Sequence, residues 1–250
     1  MLTSALSSHT LPQNHLLAAL PAEDFARLAP HLELVNLANG DQLYAPGVRM
    51  QHAFFPVSAI VSLLYVTEDG HSTEVAVVGN EGIVGVSLFM GGKTTISAAS
   101  VQSAGTCYRL AAPLLVAEFE RSGATMQLLL RYTQALMTQM TQTAVCSRHL
   151  SIDQQLSRRL LLSHDRESSN ELKMTHEQIA NLLGVRRESV TQAANKLQSS
   201  GLIQYRRGHI TVSNRAGLEA LAGECYAVVK KEFDRLLPAT QRRPEVVYPS

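Results

Sequence analysis

A chain of 250 residues with 45% hydrophobic and 17% charged side chains and a net charge of +1 can bury real cores, and its length suits two medium domains. No apolar run reaches membrane-spanning length, and the opening MLTSALSSHTLPQ lacks the basic region and apolar stretch of a secretory signal, so a cytoplasmic protein with no membrane partner is expected. Cys107, Cys146 and Cys225 are odd in number, far apart and outside any CxxC pair; they encode neither a disulfide framework nor a zinc site, which fits a reducing compartment.

In chain order, residues 1–13 read as a flexible arm of small and polar side chains. Asn14 is placed to cap a short helix over 16–20, and Pro21 opens another through Phe25 and Leu28 that ends at Pro30 and His31. From Glu33 the pattern changes to short β-type runs separated by turn signals, such as Gly40-Asp41, Asp69-Gly70 and Gly79-Asn80, which predicts a compact barrel or jelly roll. The clearest hairpin joins 59–67 to 71–78, and further strands are expected at 97–101 and 107–110. The run Gly91-Gly92-Lys93-Thr94 resembles the end of a phosphate-binding loop, but Ser87 stands where its first glycine belongs and the flanks are strand to strand. It reads as a solvated turn.

Helix returns at Pro113, and 124–148 carries a stripe at Met126, Leu129, Thr133, Leu136, Met140, Thr143 and Ser147 that alternates steps of three and four. Such a seam predicts contact with a second copy, with packing on the chain's own β domain as the alternative. The helix is expected to break near 150–153, and a new one over 155–164 leads through the polar loop 165–170. Residues 175–197, THEQIANLLGVRRESVTQAANKL, then read as two helices and a tight turn. Thr175 and Gln178 form a capping box, Ile179, Leu182 and Leu183 share a face, and Gly184 permits the turn. Val190, Ala193, Ala194 and Leu197 form the inner face of the second helix, leaving Arg187, Glu188, Thr191, Gln192 and Asn195 outside.

This is a helix-turn-helix pattern, and GLIQYRRGHITV at 201–212 adds a β-hairpin wing with a tip of Arg206, Arg207, Gly208 and His209. Between Glu171 and Arg215 there are seven Lys or Arg against three acids, a local balance of +4 in a chain of +1. Positive charge is concentrated where a polyanion would sit. Ser213 or Asn214 caps a last helix from Arg215 to about Leu237, Pro238 ends it, and 238–250 reads as a disordered tail.

A β roll, a long helix and a winged helix-turn-helix in that order resemble the Crp/Fnr family of bacterial transcription regulators, most closely over 150–221 and above all in GVRRESVTQAANKLQSSGLIQYRRGHITV at 184–212. The resemblance implies an α+β fold: an arm at 1–13, a double-stranded β-helix (jelly-roll-like) sensor at 14–122, a dimerisation helix at 123–149, a winged helix-turn-helix with its C-terminal helix at 150–237, and the tail. It also implies a homodimer on double-stranded DNA, with RNA polymerase as a further partner. Known members read bases with an Arg-Glu pair and a second arginine four places on. Arg187 and Glu188 match the pair, and Gln192 replaces the second arginine, which suits adenine better than guanine. Thr175, Arg186, Ser189, Thr191, Arg206, Arg207 and His209 are the candidates for backbone contact, and Met126, Leu129, Thr133, Leu136 and Met140 for the dimer.

In members that bind cyclic nucleotides, a Gly-Glu pair holds the ribose and an arginine eleven residues after that glycine clamps the phosphate. Here Gly85 is followed by Val86, and Ile96 precedes Ser97 in the arginine's place, so this effector pocket is degenerate and cyclic nucleotide is disfavoured unless Glu81 or Lys93 substitutes. An unknown small-molecule effector stays open, and neither cofactor, metal nor catalytic residue is expected. The rival readings are a β-barrel enzyme or metal site, for which His71 and Glu74 are the only near pair and fall on opposite faces of a strand, and a protein-interaction module, which would leave Arg187, Glu188 and the basic wing without purpose.

Overall fold

The computed structural model describes residues 13–70, 72–167 and 169–237. The expectations for the arm, for His71 and for the tail from Pro238 fall wholly or almost wholly outside them.

Asn14 caps α1 (His15–Ala18): its Oδ1 accepts from the Leu17 amide at 3.0 Å, while its Nδ2 donates to the carbonyls of Pro56 and Gly82 at 2.8 and 2.9 Å. A fully buried asparagine is thereby satisfied, and the chain's entry is pinned to the β domain. After α2 (Ala22–Leu28) and a single 3-10 turn come seven strands: β1 (Glu33–Leu37), β2 (Gln42–Tyr44), β3 (His52–Pro56), β4 (Ile60–Val66), β5 (Ser72–Val78), β6 (Ser97–Ser103) and β7 (Gly105–Ala111). They form two antiparallel sheets, β1-β7-β3 and β2-β6-β4-β5, around one apolar core.

Alternation along β4 and β5 divides their side chains between two cores. Val61, Leu63, Ala76 and Val78 point into the roll, whereas Ile60 and Val77 point out and are buried by the C-terminal part of the chain. The near-continuous apolar run at 59–64 follows from cover on both faces.

Behind α3 (Ala112–Glu120), the long helix α4 (Ala124–His149) lies along the roll. Leu128, Leu129, Tyr132 and Leu136 enter the roll's core, and the Gln139 side chain bonds both the N–H and the carbonyl of Val77, satisfying the edge of β5 as a neighbouring strand would. The stripe expected to meet a second copy therefore turns inward: Leu129, Thr133 and Leu136 are buried, Thr133 gives its hydroxyl to the Leu129 carbonyl, and Met126 and Met140 are half-buried. The row one residue further on faces solvent, with Leu130 43% and Met137 60% exposed.

Ser151 and Gln154 form a reciprocal capping box that starts α5 (Ile152–His164) immediately after α4 ends. Then come β8 (Glu171–Lys173), α6 (His176–Leu183), α7 (Arg187–Ser199), β9 (Ile203–Arg206) and β10 (His209–Val212), with the three strands paired in the order β8-β10-β9. The single C-terminal helix expected from Arg215 onward is two, α8 (Arg215–Ala222) and α9 (Glu224–Leu236), separated by Gly223 at φ +61°. Cys146 and Cys225, expected to stand apart, are joined in a disulfide between α4 and α9; Cys107 is free and buried. No helix among the described residues is long and apolar enough to cross a membrane.

Candidate nucleic-acid interface

The site grows from the caps of α6. Thr175 Oγ1 accepts from the Gln178 amide at 3.2 Å and Gln178 Oε1 from the Thr175 amide at 2.8 Å, so the first turn is closed by its own side chains. At the other end Gly184 adopts φ +67°, and the amides of Gly184 and Val185 both close on the Ala180 carbonyl. A Cβ at Gly184 would also lie 2.9 Å from Thr73 Oγ1 of β5. The sharp turn and the roll's proximity require the same glycine.

Beyond the turn, Val190, Ala193, Ala194 and Leu197 seat α7 on α5 and α6, and the opposite side of α7 presents Arg187, Glu188 and Gln192 to solvent. Arg187 is 67% exposed, and its Nε is a loose 4.0 Å from Glu177. These three side chains occupy adjacent turns of one face, where a guanidinium, a carboxylate and an amide together offer the donors and acceptors that base edges match in a major groove.

The wing turns through Arg207 at φ +49° and Gly208 at φ +84°, a two-residue hairpin that projects Arg206 and Arg207 outward. Its tip is strapped to the short segment between β8 and α6, since the Met174 amide donates to the Gly208 carbonyl at 2.9 Å. Arg186, Arg187, Arg206, Arg207 and Lys173 are exposed cations, whereas two of the charges counted in the sequence are engaged internally. Lys196 is bonded to Asp153. Arg215 is held by Asp165 at 2.6 Å, Glu219 at 2.9 Å and the Tyr226 hydroxyl at 2.5 Å.

The backbone-contact candidates divide in the same way. Thr175 and Arg186 are exposed at the starts of the two helices, and Ser189 is half-buried. Thr191 is half-buried too, and its hydroxyl already bonds the Arg187 carbonyl at 3.1 Å and His176 Nδ1 at 3.0 Å. His209 is exposed but paired with Glu171 across the β8-β10 register.

Sequence reasoning missed His176 and Tyr205. The imidazole stacks on the Tyr205 ring, with centroids 4.1 Å apart and planes 22° apart, so one contact joins α6, α7 and the wing. Its Nε2 is buried without a partner, and burial, aided by the nearby Arg187 charge, holds its pKa below the ordinary histidine value. An aromatic on a wing strand and a polar ring one place after a helix cap are the only signals in the sequence, and neither is specific.

Also missed was the seam between the roll and α5. Arg159, 2% exposed, places Nη2 2.9 Å from Glu74 Oε2 of β5 and Nε 2.9 Å from Oε1, the latter as an ion contact without hydrogen-bond alignment. Ser62 donates to the same carboxylate at 2.5 Å, and Gln102 meets both Ser62 and Arg159. Arg166 repeats the arrangement with Glu81 at 2.6 Å, and Glu81 also accepts from the Gly79 amide.

Glu81, named from the sequence as a possible substitute in the expected effector pocket, is thus held by Arg166, and Lys93 stands exposed on its loop. Gly85, at φ +112°, starts a 3-10 turn at the half-buried Val86, Ser97 bonds Thr95 at 3.0 Å, and Ile96 is 75% exposed and turned away. Tyr132 fills the space beside this motif: its hydroxyl donates to the Ile83 carbonyl at 3.2 Å, and a Cβ at Gly82 would meet its ring at 2.4 Å. A separate open cavity of about 290 Å³ runs between Leu43, Tyr44, Arg49, His52 and Phe54, and none of Gly85, Val86, Ile96 and Ser97 is among its walls. Among the described residues no three His, Cys, Asp or Glu side chains group as metal ligands would.

Comparison with known proteins gives this geometry a context. The family model of the Crp-like helix-turn-helix domain matches residues 154–221. The chain is similar in structure to FixK2 from Bradyrhizobium japonicum (16% identity, 77% of this chain and 98% of that one, TM-score 0.65). It is also similar to the c-di-GMP responsive global regulator CLP of Xanthomonas campestris (18%, 77% and 99%, TM-score 0.61) and to a CRP-family transcriptional regulator from Thermus thermophilus (20%, 76% and 97%, TM-score 0.62). Among proteins of curated function no sequence match is found. Residues 154–221 are a Crp-like helix-turn-helix domain, and the chain as a whole has the fold of the Crp/Fnr transcription regulators.

Proposed function

We propose that this protein is a sequence-specific transcription regulator that binds duplex DNA as a pair of identical chains, with a β roll that does not take cyclic nucleotide. The observation that carries the reading is the exposed row Arg187, Glu188 and Gln192 beside the exposed wing arginines Arg206 and Arg207: one set suited to base edges, the other to phosphates. Val86 stands where a glutamate would hold the ribose and Ile96 where an arginine would clamp the cyclic phosphate, and Glu81 is engaged by Arg166. Pairing of chains is supported by the solvent row of α4, where Leu130, Met137 and Ala144 recur every seven residues and Val145 is 45% exposed.

Recovery of genomic fragments bound by the full-length protein tests the reading. A two-fold-symmetric site with half-sites about one helical turn apart is expected. Fragments without shared sequence would refute it, and supershifted or enriched RNA polymerase at the sites would separate activation from repression.

A further inference from the structure

Cys146 lies in the last turn of α4 and Cys225 in the first turn of α9, and both half-cystines are buried. The bond crosses between bodies. α4 contributes Leu128, Leu129 and Tyr132 to the core of the roll, whereas Tyr226 and Val229 of α9 belong to the core of the winged helix-turn-helix. Other ties between the two helices include an edge-on contact of Tyr132 with Phe233, centroids 6.4 Å apart, and an exposed 3.3 Å bond from Gln134 to Glu232. Gly223, at φ +61°, leaves a natural pivot where α9 begins.

Cys146 and Cys225 stand sulfur to sulfur, whereas the third cysteine has no thiol to pair with. Cys107 is enclosed in β7, and burial pushes its thiol up to about 12. Arg158 stands beside the pair, its Nε donating to the Cys225 carbonyl at 3.3 Å and its Nη2 to Thr143 Oγ1 at 3.1 Å. Burial lowers its pKa only to about 10, so it remains a cation at neutral pH, while the nearby Glu74 carboxylate is taken by Arg159. Bonded to the backbone of Cys225, this guanidinium puts a positive charge in the neighbourhood of the pair, and positive charge favours the thiolate, which is the attacking form.

We propose that Cys146 and Cys225 are a reversible dithiol–disulfide site, oxidised by a peroxide-class oxidant and reduced by a dithiol, whose bond tethers α9 to α4. In oxidation one thiolate attacks a peroxide oxygen, the O–O bond breaks, and the departing hydroxide takes a proton to leave as water. The second thiolate attacks the resulting sulfenic sulfur and expels its hydroxyl as a second water. The pair loses two electrons, the peroxide gains them, and both thiol protons end in water. Reduction runs by attack of an external thiolate on one sulfur, a mixed disulfide, and release by the reductant's second thiol. The consequence for DNA affinity rests on the function proposed above: with α4 as the paired helix, the tether sets how firmly each winged body is held relative to its twin.

The test uses the full-length protein, reduced, exposed to hydrogen peroxide, alkylated with iodoacetamide and mapped by peptide mass. Cys146 and Cys225 should become protected together while Cys107 is unchanged. Amide exchange over 224–236 should be about tenfold faster in the reduced protein, and Cys146→Ser and Cys225→Ser should each behave as reduced under both treatments. Persistent alkylation of both cysteines after peroxide, or equal exchange in the two states, would overturn the proposal. Affinity for the recovered DNA site should fall about fivefold or more on reduction, and equal affinity would overturn the regulatory consequence. A protein that binds no duplex in either state would instead refute the DNA reading, with mapping and exchange still deciding the cysteine site.

Discussion

Arg187 and Arg207 are both exposed arginines of the same body, yet their settings differ in a way that binding can resolve. Arg187 stands at the start of α7 in line with Glu188 and Gln192, where a guanidinium can address O6 and N7 of a guanine; Arg207 sits at a hairpin tip held in the left-handed region. Arg187→Ala should cost about 1 to 3 kcal/mol on the preferred site and relax its sequence preference. Arg207→Ala should weaken all sequences alike and lower the salt slope by about one. Titration of specific and scrambled duplexes at several salt concentrations separates the two, and identical losses on both duplexes for Arg187→Ala would contradict base reading. His176 supplies a second test at this scale. Its folded pKa lies below the unfolded value of 6.5, so the unfolded chain binds the extra proton, and stability is lost as pH falls through 6.5 towards the folded pKa. His176→Gln keeps a donor for Thr191 and removes that titration. The melting-temperature difference between pH 7.5 and 5.5 should therefore shrink in the variant, and an unchanged difference would deny His176 the role.

At the scale of elements, the helix pair and wing were legible because their signals are local: a capping box, a glycine turn, a four-residue spacing of small apolar side chains. The long helix was legible as a helix but not in its rotation. Met126-Leu129-Thr133-Leu136 and Gln127-Leu130-Gln134-Met137 are neighbouring rows with the same spacing, and only the roll lying against α4 decides which one is inside. Gly223 escaped for a similar reason, since one glycine within a helical pattern costs only about 1 kcal/mol and gives no warning of a left-handed break. The rotation of α4 is directly testable. Met137→Glu, on the exposed row, should leave melting nearly unchanged while shifting the sedimenting species from dimer to monomer. Leu136→Ala, one residue earlier and buried, should cost about 2 to 5 kcal/mol in denaturant unfolding without itself removing a surface contact. The opposite pattern would restore the inward row as the partner face.

For the whole molecule, the decisive features join residues far apart in the chain, which is why the sequence hid them. Ile60 and Val77 of the roll are packed with Leu156 and Leu160 of α5, and the Glu74–Arg159 pair is buried in the same seam. In an isolated helix Arg158-Arg159 reads as two solvated charges; between two bodies Arg159 is desolvated, which lowers its pKa despite the opposing pull of Glu74. A shared core and a buried ion pair should make the roll and the winged helix-turn-helix unfold as one unit, with one calorimetric transition. Glu74→Ala strands a buried guanidinium and should cost about 3 to 5 kcal/mol, most of it at the seam. Because each body also has apolar packing of its own, that loss should split unfolding into two transitions, the winged body separating from the roll. Glu74→Gln, which keeps an acceptor for Ser62 and Arg159, should fall between the two. A single undivided transition in Glu74→Ala, shifted by less than a degree, would mean that the pair does not couple the bodies and that the apolar contact of Ile60 and Val77 alone joins them.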